Sequence, residues 1–412
     1  MNKEINTSEN NFEQCIKCTV CTVYCPVMAV NPDYPGPKQA GPDGERYRLK
    51  DPEFFDEALK YCMNCKRCEV ACPSNVKIGD IIQKARLQYS AKKPGLREFA
   101  LANTDLMGTV ATAFAPLVNG TLKLGAVKSV MDVMGIDKHR TFPSYSGEKF
   151  VTWFKKHAKA SQQQYSRFVT YFHGCYANYN YPKLAKDFVK LLNALGYGVH
   201  LMDKEKCCGV ALISNGFKKK ALKQAESNLS QIRGAVGAGE AVLATSSTCS
   251  FTIRDEYEHI LGLDNSDVRD SVMLATRFIF KLIDSGQARL VFRSDFRKRI
   301  AYHTPCHMEK LGWSIYSVSL LKMIPGVEFF MLDSQCCGIA GTYGFKKENY
   351  PYSQKIGDSL FRQISALSPD VVATDCETCK WQIEMSTGFS VENPISILAD
   401  ALDVEETIKA NK

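Results

Sequence analysis

Between residues 167 and 173 the chain reads Arg-Phe-Val-Thr-Tyr-Phe-His, a short run of β-branched and aromatic residues that predicts a buried strand. Apolar positions from Tyr181 to Leu195 then recur at helical spacing, and Val199 to Met202 reads as the next strand. The same order returns with a strand at Arg299 to His303, a helix through Leu320 and Leu321, and a strand at Val327 to Met331. Strands alternating with helices predict parallel sheets, and the recurrence predicts a duplicated α/β unit whose halves pack face to face, with a site in each or between them.

Upstream the periodicity is helical. Ile78, Ile81, Ile82 and Ala85 fall at i, i+3, i+4 and i+7, on a helix that Ser74 is placed to cap. A short helix is expected through Phe54, Phe55, Ala58 and Leu59, and the Pro/Gly-rich stretch at 31–37 reads as a loop. Residues 1–14 read as a mobile tail. Residues 99–122 carry one charge, Asp105, among many small residues. Pro116, Asn119 and Gly120 argue against a membrane-crossing helix, which needs about 20 apolar residues without interruption. Leu106, Val110, Phe114 and Leu117 nevertheless share a helical face, suited either to a membrane surface or to the chain's own core.

Charge sharpens that choice. Of the formal +8, residues 121–160 contribute five, with eight basic residues against three acids, and Trp153 and Phe154 near the end. A cationic segment next to an apolar face is expected of a helix lying on an anionic membrane. No nucleic-acid partner is expected. The divisions that follow are 1–98, a linker at 99–160, and two repeats at 161–290 and 291–412. The fold class is mixed, α+β / α/β, with a mostly helical N-terminal domain before the duplicated α/β units.

Cysteine is the unusual component, at 17 residues. An odd count, a long chain and a polar N-terminus without an apolar signal core argue against a secreted disulfide framework. Thiolates reserved for metal in a reducing compartment fit better. Cys15, Cys18, Cys21 and Cys25-Pro26 form one Cys-x2-Cys-x2-Cys-x3-Cys-Pro run, and Cys62, Cys65, Cys68 and Cys72-Pro73 a second. In bacterial ferredoxins three closely spaced thiolates hold one cubane and the distant fourth ligates the other. Cys15, Cys18, Cys21 and Cys72 are therefore assigned to one [4Fe-4S] cluster, and Cys62, Cys65, Cys68 and Cys25 to a second. Zinc has no use for this spacing repeated twice.

The other nine cysteines follow the repeat. Cys306, Cys336, Cys337 and Cys379 lie 131, 129, 129 and 130 residues after Cys175, Cys207, Cys208 and Cys249. Two adjacent thiols reach one metal only where the backbone turns, which Gly338 permits. The second repeat adds Cys376, where the first has Ser246. Five thiols suit an iron–sulfur centre; the four of the first repeat suit iron–sulfur or zinc. His173, His303 and His307 lie beside these thiols as candidate ligands or proton carriers.

The Cys-Cys-Gly repeats resemble the cysteine-rich domain of heterodisulfide reductase B-type subunits, of glycolate oxidase and lactate-utilisation iron–sulfur subunits, and of the C subunits of anaerobic glycerol-3-phosphate dehydrogenase. Residues 31–46, 57–74 and 76–83 resemble the last group almost word for word. The resemblance implies an electron-transfer subunit that is not itself catalytic, on the cytoplasmic face of the inner membrane. It would take electrons from flavin-containing catalytic subunits and pass them to menaquinone at the membrane surface, with an iron–sulfur centre at the five-thiol site. A glycolate, lactate or heterodisulfide enzyme of related build is the alternative. The residues agree with a division of labour, because no Gly-x-Gly-x-x-Gly follows a strand; Gly234-Ala-Val-Gly-Ala-Gly has the wrong order.

Overall fold

The computed structural model describes residues 12–412 except 52, 53, 55, 90–93 and 334. Two four-stranded parallel sheets form its frame. The first holds β1 (Arg167–Phe172), β2 (Tyr197–Leu201), β3 (Ala241–Ala244) and β4 (Val272–Leu274) in the order β2-β1-β3-β4. The second holds β5 (Lys298–Tyr302), β6 (Val327–Met331), β7 (Val371–Ala373) and β8 (Val391–Glu392) in the order β6-β5-β7-β8. Val169 pairs with Val199 on one side and Ala241 on the other, and Ile300 likewise with Phe329 and Val371. Near-continuous apolar strands of this kind are buried on both faces.

The repeats pack against each other through their helices. Helix Pro182–Ala194 lies against Pro394–Ala401, and helix Ala275–Asp284 against Ser314–Lys322, so one apolar core runs through both halves. Val169, Tyr171, Phe188 and Leu192 meet Ile300, Tyr302, Leu320 and Leu398 in that core. Ser247 binds across the boundary, donating from its backbone N–H and its hydroxyl to the Asp375 carbonyl at 2.9 Å each.

The N-terminal domain is helical and docks across both repeats. Helix Ile78–Tyr89 buries Ile78, Ile81, Ile82 and Ala85, as their spacing requires. It starts four residues beyond Ser74, which sits in a turn and does not cap it. The short helix expected at 54–59 is a 3-10 turn over Glu57–Tyr61, capped by Asp56; Phe55 lies outside the described residues. Residues 1–11 of the expected tail also lie outside them, whereas Phe12–Gln14 form a 3-10 turn. Phe12 is buried beneath Arg46, so the end of the expected tail is packed on the domain.

The 99–122 segment folds as helices Thr104–Ala113 and Ala115–Thr121. Leu106, Val110, Phe114 and Leu117 are all exposed, between 48% and 67%. No helix among the described residues is long and apolar enough to cross a membrane. Two parts of the cationic segment do not belong to that surface. Arg140 is buried, bound to the Gly344 carbonyl, Gln382 and the Ser353 hydroxyl, and it anchors the segment on the second repeat. Phe154 is buried and Trp153 packs against the same core, because their helix, Phe150–His157, turns its aromatic side inward.

Candidate functional site

The cysteine runs share a backbone device. Lys17 and Thr19 in the first have φ of 59° and 65°, and Asn64 and Lys66, at the same positions in the second, have 54° and 63°. Left-handed residues are costly outside glycine, so their recurrence marks a conformation held for a purpose. Here they curl each run so that its three thiols converge. Each run then enters a one-turn helix, Val20–Val23 or Arg67–Val70, and the two helices pack together.

That packing carries each distant cysteine to the other run. The Cys21 thiol is surrounded by Cys15, Cys72 and Cys18, while Cys25 faces Cys65 and Cys62. Burial and these neighbouring thiols push Cys25 up to about 12. Gathering buried thiols without a cation is unfavourable, and metal binding reverses the sign of that cost. Backbone N–H groups also donate to sulfur, Asn64 to Cys62 at 3.4 Å and Val76 to Cys72 at 3.3 Å. A small cavity bounded by Cys25, Cys62, Cys65 and Cys68 lies under Tyr34 and Lys66. The donor set therefore fits iron–sulfur clusters.

In both repeats the thiols follow the carboxyl ends of the strands. Cys175 comes after β1, Cys207 and Cys208 after β2, and Cys249 after β3; Cys306, Cys336 with Cys337, and Cys376 with Cys379 come after β5, β6 and β7. Because β1 and β5 each lie between strands reached in opposite directions, the chain diverges there and leaves a crevice. The crevices meet in one cavity of about 240 Å³ lined by all nine repeat cysteines and by Cys65 of the N-terminal domain. Sulfur separations are 3.8 Å for Cys175 and Cys207 and 3.3 Å for Cys337 and Cys379. Cys306 faces both Cys336 and Cys65.

The Cys-Cys-Gly turns are alike. Gly209 and Gly338 have φ of 90° and 87°, as two thiols aimed at one centre require. Cys207, through its hydrogen bond with Cys175, and Cys336, through that with Cys306, are held well below the usual thiol range. Their neighbours Cys208 and Cys337 are held above it, by their hydrogen bonds to Cys207 and Cys336. The same member of each pair is thus poised as a thiolate, the form that binds metal.

The surroundings of the two glycines differ. A Cβ on Gly338 would lie 2.0 Å from the Ser353 carbonyl in helix Tyr350–Leu367, whereas one on Gly209 meets nothing closer than 3.9 Å. Gly338→Ala is therefore expected to abolish metal retention in the second repeat. Gly209→Ala should cost only the left-handed strain of about 1–2 kcal/mol. Iron content and thermal unfolding of the two variants check this, and equal losses would show that the helix yields.

Ser246 has a separate use. Its hydroxyl accepts from the Cys249 N–H at 3.2 Å, capping helix Ser247–Phe251, and donates to Glu377 at 3.0 Å. Four thiols remain around the first crevice and five around the second. Burial brings His173, His303 and His307 each down to about 4, so all are neutral at neutral pH.

Two carboxyl groups escaped sequence reasoning. Asp105 accepts from the Cys207 N–H at 2.8 Å and is pushed up to about 6 by burial. Glu377, beside Cys376, is pushed up to about 8 by burial and by that thiol. Asp105 did carry a signal, as the single acid in an otherwise uncharged stretch; Glu377 carried none.

Residues 169–254 and 300–384 match the cysteine-rich domain family, and residues 11–76 match the 4Fe-4S dicluster domain family. The chain is 59% identical to the C subunit of the anaerobic glycerol-3-phosphate dehydrogenase of Escherichia coli K12, over 96% of this chain and 100% of that protein. It is 24% identical to the glycolate oxidase iron-sulfur subunit of the same organism, over 97% and 96%. It is also 24% identical to the B subunit of the fumarate reductase (CoM/CoB) of Methanothermobacter marburgensis, over 90% and 67%. With dicluster and duplicated cysteine-rich domains in place and near-complete coverage at that identity, the chain belongs to the family of anaerobic glycerol-3-phosphate dehydrogenase C subunits, which are iron–sulfur proteins.

Proposed function

We propose that the chain carries electrons from flavin-containing dehydrogenase subunits to menaquinone at the cytoplasmic face of the inner membrane. Cys15, Cys18, Cys21 and Cys72 hold one [4Fe-4S] cluster in this reading, and Cys25, Cys62, Cys65 and Cys68 the second. Cys306, Cys336, Cys337, Cys376 and Cys379 hold a further iron–sulfur centre, and Cys175, Cys207, Cys208 and Cys249 iron–sulfur or zinc. When bound, these groups supply one-electron carriers. The observation that carries the proposal is the place of Cys65. It belongs to the second cysteine run, yet it lines the repeat cavity and faces Cys306, so the two thiol systems adjoin without an intervening layer of protein.

Hydride removal from glycerol 3-phosphate is assigned to a partner. Gly234 lies within helix Lys218–Gly237 and not at a strand-to-helix turn, so it does not form a dinucleotide loop. The relative's name as part of a dehydrogenase supports the same division.

The membrane side of the reading rests on the exposed apolar residues. Leu106, Val110, Phe114 and Leu117 continue into Leu124, Val130 and Val133, the last 89% exposed, with Lys123 and Lys128 among them. Apolar side chains interspersed with cations match an anionic lipid surface. Helix Thr104–Ala113 carries Leu106 and Val110 and lines the cavity with Thr104 and Met107, so that surface adjoins the thiols.

The test uses the full chain, purified anaerobically, reduced, and mixed with phosphatidylglycerol vesicles containing menaquinone. The reduced paramagnetic signals are expected to disappear and the protein to sediment with the vesicles. Leu117→Glu/Val133→Glu should keep its iron but lose at least about tenfold in vesicle binding, since each buried apolar side chain contributes about 1.5–3 kcal/mol. Unchanged sedimentation would refute the lipid surface, and persistent signals would refute quinone reduction.

A further inference from the structure

The two repeats carry histidines at matched positions, and the structure treats them differently. His173 follows β1 and His303 follows β5, 130 residues apart, and both are buried. His173 is held through one ring nitrogen. Its Nδ1 lies 2.9 Å from the Gly174 carbonyl and 3.1 Å from Glu205 Oε1. Glu205 in turn accepts from the backbone N–H groups of His173 and Gly174, at 3.2 and 2.8 Å.

The second repeat lacks this arrangement. The position matching Glu205, two residues before the Cys-Cys pair, is Ser334, which lies outside the described residues. His303 is 1% exposed, and neither ring nitrogen has a hydrogen-bond partner among the described residues. Buried polar groups are nearly always paired, so two orphaned nitrogens on one ring point to something the protein is built to receive. A ring nitrogen of His303 and the sulfurs of Cys337 and Cys379 all lie within 4.8 Å of one another. Bonds of about 2.0 Å to nitrogen and 2.3 Å to sulfur would draw such donors together around one metal by small side-chain rotations.

We propose that His303 is a nitrogen ligand of the metal centre in the second repeat, alongside Cys337 and Cys379, whereas His173 forms no such cluster with thiols among the described residues. This rests on the reading that the five thiols hold an iron–sulfur centre. It adds a sixth donor and makes the two sites differ in kind as well as in thiol count. Neutral imidazole adds a donor without the negative charge that a further thiolate would bring.

The experiment is pulsed paramagnetic resonance of the full cluster-loaded chain, with histidine labelled by nitrogen-15, compared with His303→Gln, His173→Gln and His307→Gln. Expected is a strongly coupled nitrogen on a signal distinct from the cubanes, lost in His303→Gln alone, with that signal's midpoint potential shifted. The ferredoxin signals serve as the folding control, and the labelled wild-type protein decides the matter if the variant does not fold. A distinct signal without strong nitrogen coupling, or coupling that survives in His303→Gln or vanishes in His307→Gln, would overturn the ligand while leaving the centre. Iron and sulfide sufficient only for the two cubanes would overturn the centre and the ligand together.

Discussion

Cys72→Ser is expected to abolish the cluster of the first cysteine run while leaving that of the second, the run to which Cys72 itself belongs. The reason is the packing of helix Val20–Val23 on Arg67–Val70, which sets Cys72 beside Cys21 and Cys25 beside Cys62 and Cys65. A serine hydroxyl replaces a soft thiolate poorly, so about four of the roughly eight ferredoxin irons should be lost. Cys25→Ser is the mirror experiment and should remove the other cluster. Because that cluster's cage includes Cys65, which faces Cys306, quinone reduction should fall at least about a hundredfold in Cys25→Ser. Iron counts and paramagnetic resonance of both variants read the outcome. Were each variant to lose the cluster of its own run, the crossed assignment would fail.

The second large effect concerns stability. Lys66 is fully buried between Cys65 and Cys68. Its ammonium binds Asp80, lies 3.6 Å from Glu69 Oε1, and sits over the Phe251 ring of the first repeat at 5.9 Å. Lys310 of the second repeat reaches Glu69 at 3.0 Å, and Asn64 donates to Glu256 of the first at 2.6 Å. One buried charge network therefore joins the three parts of the chain. Lys66→Met leaves Asp80 and Glu69 short of their counter-charge and is expected to cost about 3–5 kcal/mol. Both side chains are unbranched at Cβ, so the left-handed backbone there contributes little to the difference.

Thermal unfolding of wild type, Lys66→Met and Lys66→Met/Asp80→Asn measures this, and the double variant should recover part of the loss. Burial opposes the lysine's charge, but Asp80, Glu69, Glu256 and Asp255 hold it well above the usual lysine range. A group raised on folding contributes fully below its unfolded value of about 10.4 and loses that contribution only at higher pH. Glu256, pushed up to about 7 by burial and drawn down by Lys66, ionises within the working range, so the gap between wild type and Lys66→Met should widen as pH rises through about 7 and persist to about pH 9. A loss under about 1 kcal/mol, or a gap that closes within that window, would refute the network.

The outer parts of the chain show how far pattern alone reaches. The strand at Arg167–Phe172 and the helix face of Ile78, Ile81, Ile82 and Ala85 were legible because apolar patterning reports directly which residues of an element are buried. Trp153, Phe154 and Arg140 were misplaced, since aromatic and cationic side chains suit a lipid surface and a protein core equally well. Only the neighbours each one meets decide between the two.

Chemistry divided the same way. Residue type, spacing and the repeat offset by themselves determined that this chain is built around thiols in four groups, because ligand number and softness are local properties of the sequence. That all nine repeat cysteines share one cavity, that Cys65 lines it too, and that Ser246 caps a helix where Cys376 meets a crevice were decided only by tertiary structure. Those relations depend on strand order, on the packing of helices between repeats and on where the N-terminal domain docks. They are contacts between residues far apart in sequence, formed by packing that no local pattern encodes.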